Sequence, residues 1–105
     1  MKEVTVKELK EMRDANEDFQ LIDVREQNEF DFANIDGELI PMSSFQEHVD
    51  RFSKDKKVVV HCRSGKRSGD VIQYLELHHG YDNLYNLKGG ILAWSDEIDP
   101  NIPKY

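Results

Sequence analysis

The sequence predicts an α/β fold with a mostly parallel sheet. Three observations carry that prediction. Short apolar runs alternate with amphipathic segments along the chain. The run Lys57-Val58-Val59-Val60-His61-Cys62 is continuous and β-branched, with charge before it and Ser-Gly after, as suits a buried strand. Thr5 followed by Glu8 has the spacing of a capping box, which starts a helix. In chain order, Val4-Thr5-Val6 is a short extended start and Val6 to Arg13 the first helix. Phe19 to Val24 reads as a buried strand, and Arg25 to Phe32 as a short helix. Leu39-Ile40-Pro41 is a brief strand that Pro41 ends. Ser44 and Glu47 repeat the capping-box spacing ahead of Val49 and Phe52. Lys66 to His79 is helical, with Val71, Tyr74, Leu75 and His78 on one face, and Gly80 stops it. Asn83 to Leu87 is the next strand, Gly89-Gly90 a turn and Ile91 to Ile98 the last helix. The tail from Asp99 to Tyr105 contains Pro100 and Pro103 and reads as extended.

The 105 residues fit one domain spanning 1–105. That length supports a modest core without disulfides or metals. The formal net charge of −7 argues against sequence-independent nucleic-acid binding and against an anionic membrane surface. It does not forbid a small basic pocket, because net charge says little about local field. The single cysteine can form neither an internal disulfide nor a four-cysteine metal site. No apolar run approaches a membrane span, and Met1-Lys2-Glu3-Val4 lacks the layout of a secretory signal. A reducing cytoplasm is the expected compartment, where a lone thiol stays available for chemistry.

The informative segment is Cys62-Arg63-Ser64-Gly65-Lys66-Arg67-Ser68, where a strand ends at a cysteine, a glycine-containing loop follows and a helix begins. Ligands of open α/β sheets bind at such strand ends. Inward-facing amides and the helix dipole make an anion cradle there. Arg63, Lys66 and Arg67 add positive charge, so the loop favours the Cys62 thiolate. Gly65 lets the backbone approach the sulfur, and Ser64 and Ser68 can donate hydroxyl hydrogen bonds. Arg67 is placed to hold the loop or to bind an anionic donor, while Arg63 and Lys66 can guide one in. A lone cysteine at a strand end is more often a small core residue. Such a residue has no need of cationic neighbours in an otherwise acidic chain.

Four segments, in order, make the sequence resemble the rhodanese family over nearly its whole length. They are Leu21-Ile22-Asp23-Val24-Arg25-Glu26 with Glu29-Phe30, the loop Cys62 to Ser68, Asn86-Leu87-Lys88-Gly89-Gly90-Ile91, and Ala93-Trp94. The resemblance implies a doubly wound fold, with a central five-stranded, mostly parallel sheet and helices on both faces. It implies a sulfurtransferase carrying sulfane sulfur as a persulfide on Cys62, with Arg63 to Ser68 as the anion-binding loop. Asp23, Arg25 and Glu29 match positions that support the site. A small sulfur donor is the implied substrate, and no metal or organic cofactor is implied beyond the covalent persulfide. Where many members carry Gly-His-Ile-Pro-Gly-Ala, this chain has Ala33-Asn34-Ile35-Asp36-Gly37-Glu38. That variant resembles rhodanese domains attached to adenylating enzymes of molybdopterin and thiamine biosynthesis. It points to a sulfur-carrier protein or a cysteine desulfurase as partner.

Three rival readings compete with this one. Phosphatases and arsenate reductases of the same fold group place five residues between cysteine and arginine. Here Cys62 and Arg67 enclose four, a smaller ring that suits a sulfur atom better than a tetrahedral phosphate. A non-catalytic binding or sensing module would not need Cys62 with its full loop. Zinc is disfavoured because His61 and Cys62 point to opposite faces of a strand, and His78 and His79 diverge on a helix. Trp94, Tyr74, Phe30 and Phe52 are expected in the core.

Overall fold

The computed structural model describes residues 1–105. Five parallel strands lie in the order β1-β5-β4-β2-β3. They are β1 (Glu3–Val4), β2 (Phe19–Asp23), β3 (Glu38–Leu39), β4 (Lys57–His61) and β5 (Leu84–Leu87). The helices are α1 (Val6–Asp14), α2 (Gln27–Phe32), α3 (Lys66–His79) and α4 (Gly90–Glu97), with a 3-10 segment at Phe45–Arg51. None of the helices is long and apolar enough to cross a membrane.

Alternation along β4 builds the core. Val58, Val60 and Cys62 enter one apolar cluster, with Ile72 and Leu75 of α3 and Phe45 of the 3-10 segment. Val59 enters the other, with Val6 and Leu9 of α1 and Ile91 and Trp94 of α4. All three valines are fully buried, so each contributes about 1.5–3 kcal/mol of transfer free energy. A strand covered on both faces cannot show polar alternation, which explains the unbroken apolar run.

The helix starts are local. Thr5 Oγ1 accepts the Glu8 amide at 3.1 Å, and Glu8 Oε1 accepts the Thr5 amide at 2.8 Å, so the expected capping box is formed. The Ser44–Glu47 expectation is corrected. Ser44 makes no side-chain cap, and only its carbonyl accepts the Glu47 amide at 3.0 Å, in the tighter 3-10 pattern. Here Ser43 carries the side-chain bond instead, its hydroxyl donating to Glu26 at 2.6 Å. The Gly89-Gly90 turn also resolves differently, since α4 begins at Gly90 itself. Small boundary shifts affect the rest. α2 starts at Gln27, β3 pairs at Glu38–Leu39, and β4 ends one residue before Cys62.

Chain direction places the site. From β2 the chain proceeds to β3 at one sheet edge, and from β4 it proceeds to β5 on the other side. Adjacent strands β2 and β4 therefore send their following loops apart, which opens a crevice at their carboxyl ends. Asp23 and His61 are register partners at that rim, and Cys62 follows. Gly90 seals the crevice from the β5 side. Its φ is +60°, and a Cβ there would lie 2.5 Å from the Arg63 carbonyl oxygen. Gly90→Ala therefore combines left-handed strain with a backbone clash, and is expected to cost about 2–4 kcal/mol in urea unfolding. An unchanged midpoint would show that α4 does not press on the loop.

Candidate active site

The Cys62 side chain is 1% exposed and belongs to the apolar cluster beneath α3, yet its sulfur is polar in its contacts. The Gly65 amide donates to Sγ at 3.1 Å and the Ser68 amide at 3.4 Å. Ser68 Oγ lies 3.3 Å from Sγ. Residues 65 and 68 are the N-cap and third position of α3, so their N–H groups have no intrahelical acceptor. The helix start thus spends its orphan donors on sulfur. Gly65 reaches this geometry at φ +106°, a value that strains any residue with a Cβ.

The loop's carbonyls face the other way. The Cys62 carbonyl accepts the Ile91 amide at 3.0 Å, and the Arg63 carbonyl accepts the Leu92 amide at 3.2 Å. These donors come from the first turn of α4. Two helix N-termini therefore sort the peptide dipoles, with α4 taking carbonyls and α3 presenting amides.

Burial alone pushes the Cys62 thiol up, and it is the largest single influence. The hydrogen bonds from the Ser68 hydroxyl and from the Ser68, Gly65 and Ser64 amides together outweigh it, and the thiol sits below its ordinary value. The hydroxyl is contested, because Ser68 Oγ also lies 2.6 Å from Asn86 Oδ1. Asn86 Nδ2 donates to the Gly65 carbonyl at 2.9 Å, which leaves Oδ1 as the acceptor. One hydroxyl proton cannot fully serve both partners, so the main-chain amides are the dependable donors.

The loop cations have specific tasks. Arg67 donates two bonds to Glu29, Nη1 to Oε1 at 2.7 Å and Nη2 to Oε2 at 2.8 Å. It therefore holds the loop, one of the two roles expected for it. Glu29 also accepts the Glu26 amide at 3.0 Å and the Tyr105 hydroxyl at 2.8 Å, so its carboxylate takes four donors. Arg67, first among them, holds the Glu29 carboxyl at about 2. Arg63 turns to the tail, where its Nε donates to the Tyr105 main-chain oxygen at 2.6 Å. Lys66 is exposed and only grazes Asp70 at 3.9 Å. Ser64 contributes its amide rather than its hydroxyl.

Asp23 and Arg25 are fully buried beneath the site. Arg25 Nε lies 3.0 Å from Asp23 Oδ1, and Nη2 lies 2.7 Å from Oδ2. Its other donors reach the Ala33 carbonyl at 2.7 Å, the Tyr105 hydroxyl at 3.0 Å and the Glu29 carbonyl at 3.3 Å. All five guanidinium N–H groups are thus used, which is the condition for burying such a charge. His61 is also fully buried, with Nε2 at 3.5 Å from Asp23 Oδ2 and Nδ1 at 3.3 Å from the Cys62 carbonyl. Burial, outweighing the pull of Asp23, lowers its pKa and keeps it neutral.

Sequence reasoning missed Tyr105 and Asn86. Asn86 had a signal, a polar residue on a strand whose neighbours Leu84 and Leu87 are apolar. Tyr105 had none, lying behind two prolines in a tail without periodicity. Trp94 and Phe52 lie in the core as expected, while Tyr74 and Phe30 are half-buried.

Comparison with known proteins agrees with this geometry. The family model for the rhodanese-like domain matches residues 5–97. A sulfurtransferase of Allochromatium vinosum is 39% identical over 80 residues, covering 75% of this chain and 74% of that protein. The adenylyltransferase and sulfurtransferase MOCS3-2 of Zea mays is 32% identical over 110 residues, covering 97% of this chain but 23% of that protein. This chain therefore spans about a quarter of that longer relative. The crystal structure of a rhodanese-like domain protein from Staphylococcus aureus superposes with TM-score 0.84 at 33% identity, covering 100% and 99% of the two chains.

Two outcomes test the site. Ser68→Ala is expected to raise the Cys62 pKa, read from the pH dependence of iodoacetamide alkylation, while the amides keep it below a free thiol. A rise to the free-thiol value would mean that the amides contribute nothing. The Glu29 carboxyl is lowered from 4.5 to about 2 on folding, so it favours the native state above the higher value. That contribution, about 2–3 kcal/mol, drains away as pH falls from one value to the other. In Glu29→Gln the acid limb of a stability-versus-pH curve should flatten by that amount.

Proposed function

This chain belongs to the rhodanese-like domain family, and from that membership we propose that it is a sulfurtransferase working through a persulfide on Cys62. The observation that carries the reading is the set of α3 amides converging on Sγ while α4 takes the loop carbonyls. A thiolate held by preorganised dipoles needs no separate base. The same donors can stabilise the anionic persulfide, as an oxyanion hole stabilises its charge.

In the first step the Cys62 thiolate attacks the outer sulfur of the donor. A sulfur–sulfur bond forms at Cys62 as the donor's own breaks, and the leaving group departs with the electron pair. Thiosulfate leaves as sulfite, and a persulfide leaves as a thiolate. In the second step a thiol or cyanide nucleophile takes the outer sulfur, and the Cys62 thiolate is restored. No oxidant is consumed. The chemistry asks for a reducing compartment, which fits a cytoplasmic setting.

The cation arrangement weighs against ester hydrolysis. A phosphatase arginine must offer its fork to the phosphate oxygens, and the Arg67 fork is already filled by Glu29. The likeness to a protein named for both adenylyl transfer and sulfur transfer supports a second, finer element of the proposal, the carrier-protein acceptor that the sequence resemblance implies. Cys62 lines none of the surface cavities, the largest of which, about 430 Å³, lies between α1 and α4.

The test is intact mass spectrometry after incubation with thiosulfate or glutathione persulfide. A gain of one sulfur atom that cyanide removes, and that Cys62→Ala abolishes, is the expected result. Turnover of p-nitrophenyl phosphate with no persulfide under either donor would overturn the proposal.

A further inference from the structure

We propose that Tyr105 is a specificity-determining residue, which occupies Arg63 and so turns the site away from small multiply charged anionic donors. The inference rests on the sulfur-transfer reading and deepens it by naming a donor class. Arg63 follows the nucleophile, and its side chain is exposed. It is the loop cation best placed to receive an anion approaching Cys62, because Arg67 is committed to Glu29.

Arg63 is nevertheless occupied. Nε and Nη2 both donate to the Tyr105 main-chain oxygen, and the guanidinium carbon sits 5.2 Å from the centre of the Tyr105 ring. A planar guanidinium so held has its Nε–Nη2 edge engaged and one face covered, while Nη1 stays open to solvent. An incoming anion must displace Tyr105 to gain the side-on pairing of the Nε–Nη2 edge.

Tyr105 is difficult to displace. Its hydroxyl donates to Glu29 and accepts from Arg25, its ring meets Phe32 edge-on at 5.8 Å, and it is half-buried against the α1–α4 cluster. The preceding tail is fixed separately, with Ser95 donating to the Ile102 carbonyl at 2.6 Å and Lys104 paired with Asp96. The Tyr105 side chain anchors that residue over Arg63. Anchor and obstruction therefore reside in one residue.

A dianion such as thiosulfate gains most from a free guanidinium fork, whereas a singly charged persulfide gains less. With one edge of Arg63 taken by Tyr105, discrimination shifts toward the persulfide. The step balances for that donor. Cys62 thiolate and R–S–S⁻ give the Cys62 persulfide and R–S⁻, with no change in total charge.

The test compares alkylation of Cys62 by iodoacetate, which is anionic, and iodoacetamide, which is neutral. Their rate ratio cancels the thiolate fraction and reports the field at the sulfur's mouth. Tyr105→Ala should raise the ratio several-fold and lower KM for thiosulfate with little change in kcat. Arg63→Ala should remove that gain when combined with it. Tyr105→Leu, which keeps apolar bulk beside Phe32 without a hydroxyl or ring face, should read the same way if the alanine variant is insoluble. An unchanged ratio in both variants, or a gain that survives Arg63→Ala, would overturn the inference. The ratio needs only a reactive thiolate, so it is informative even if neither thiosulfate nor glutathione persulfide yields a persulfide, an outcome that would count against the sulfur-transfer reading alone.

Discussion

The site depends on opposed peptide dipoles in the segment after β4. A free peptide loop has no reason to point several N–H groups at one atom, because its carbonyls need partners too. Here the first turn of α4 removes that conflict by donating to the Cys62 and Arg63 carbonyls. The loop amides are then left to the sulfur, and the first turn of α3 adds its own unpaired donors. Gly90 is the hinge of this arrangement, since no Cβ fits between α4 and the Arg63 carbonyl. The polarity around Cys62 at one end of the sheet is therefore paired with a packing constraint contributed from β5 onward, far along the chain.

A layer of saturated charges lies beneath that loop. The Arg25 guanidinium and the Glu29 carboxylate each have every strong hydrogen-bonding position filled, and Tyr105 belongs to both sets. Buried ions are expensive when a partner is missing, so each member of this layer holds the others in place. Arg67 carries the rigidity upward into α3. The family positions Asp23, Arg25 and Glu29 thus act on Cys62 through geometry rather than by contact with sulfur.

Much of this was legible where short-range rules decide. The β4 run, the Thr5–Glu8 box, the Gly80 stop and the loop itself each follow from residues within a few positions of one another. Ser44 and Glu47 show the limit of such spacing. The same pattern failed because the segment winds as a 3-10 helix, and its serine cannot reach the third amide. Contacts closed by the fold were not legible at all. Glu29 meets Arg67 across 38 positions, and Tyr105 meets Arg25 across 80, with no local pattern announcing either pair. The loop cations read from sequence as a positive funnel. In the fold, Arg67 and Arg63 are both engaged, and Lys66 alone stays largely solvated.

That neutralisation leaves contact donors as the influence that lowers the Cys62 thiol. Cations in solvent act at long range and are screened by salt, while fixed amides in contact with a buried atom are neither. A chain of net charge −7 would oppose a thiolate through its overall field. Contact dipoles work against that field from within 3.4 Å of a sulfur whose residue is 1% exposed. The molecule can therefore combine an acidic surface with a lowered thiol, leaving its arginines free to build the frame.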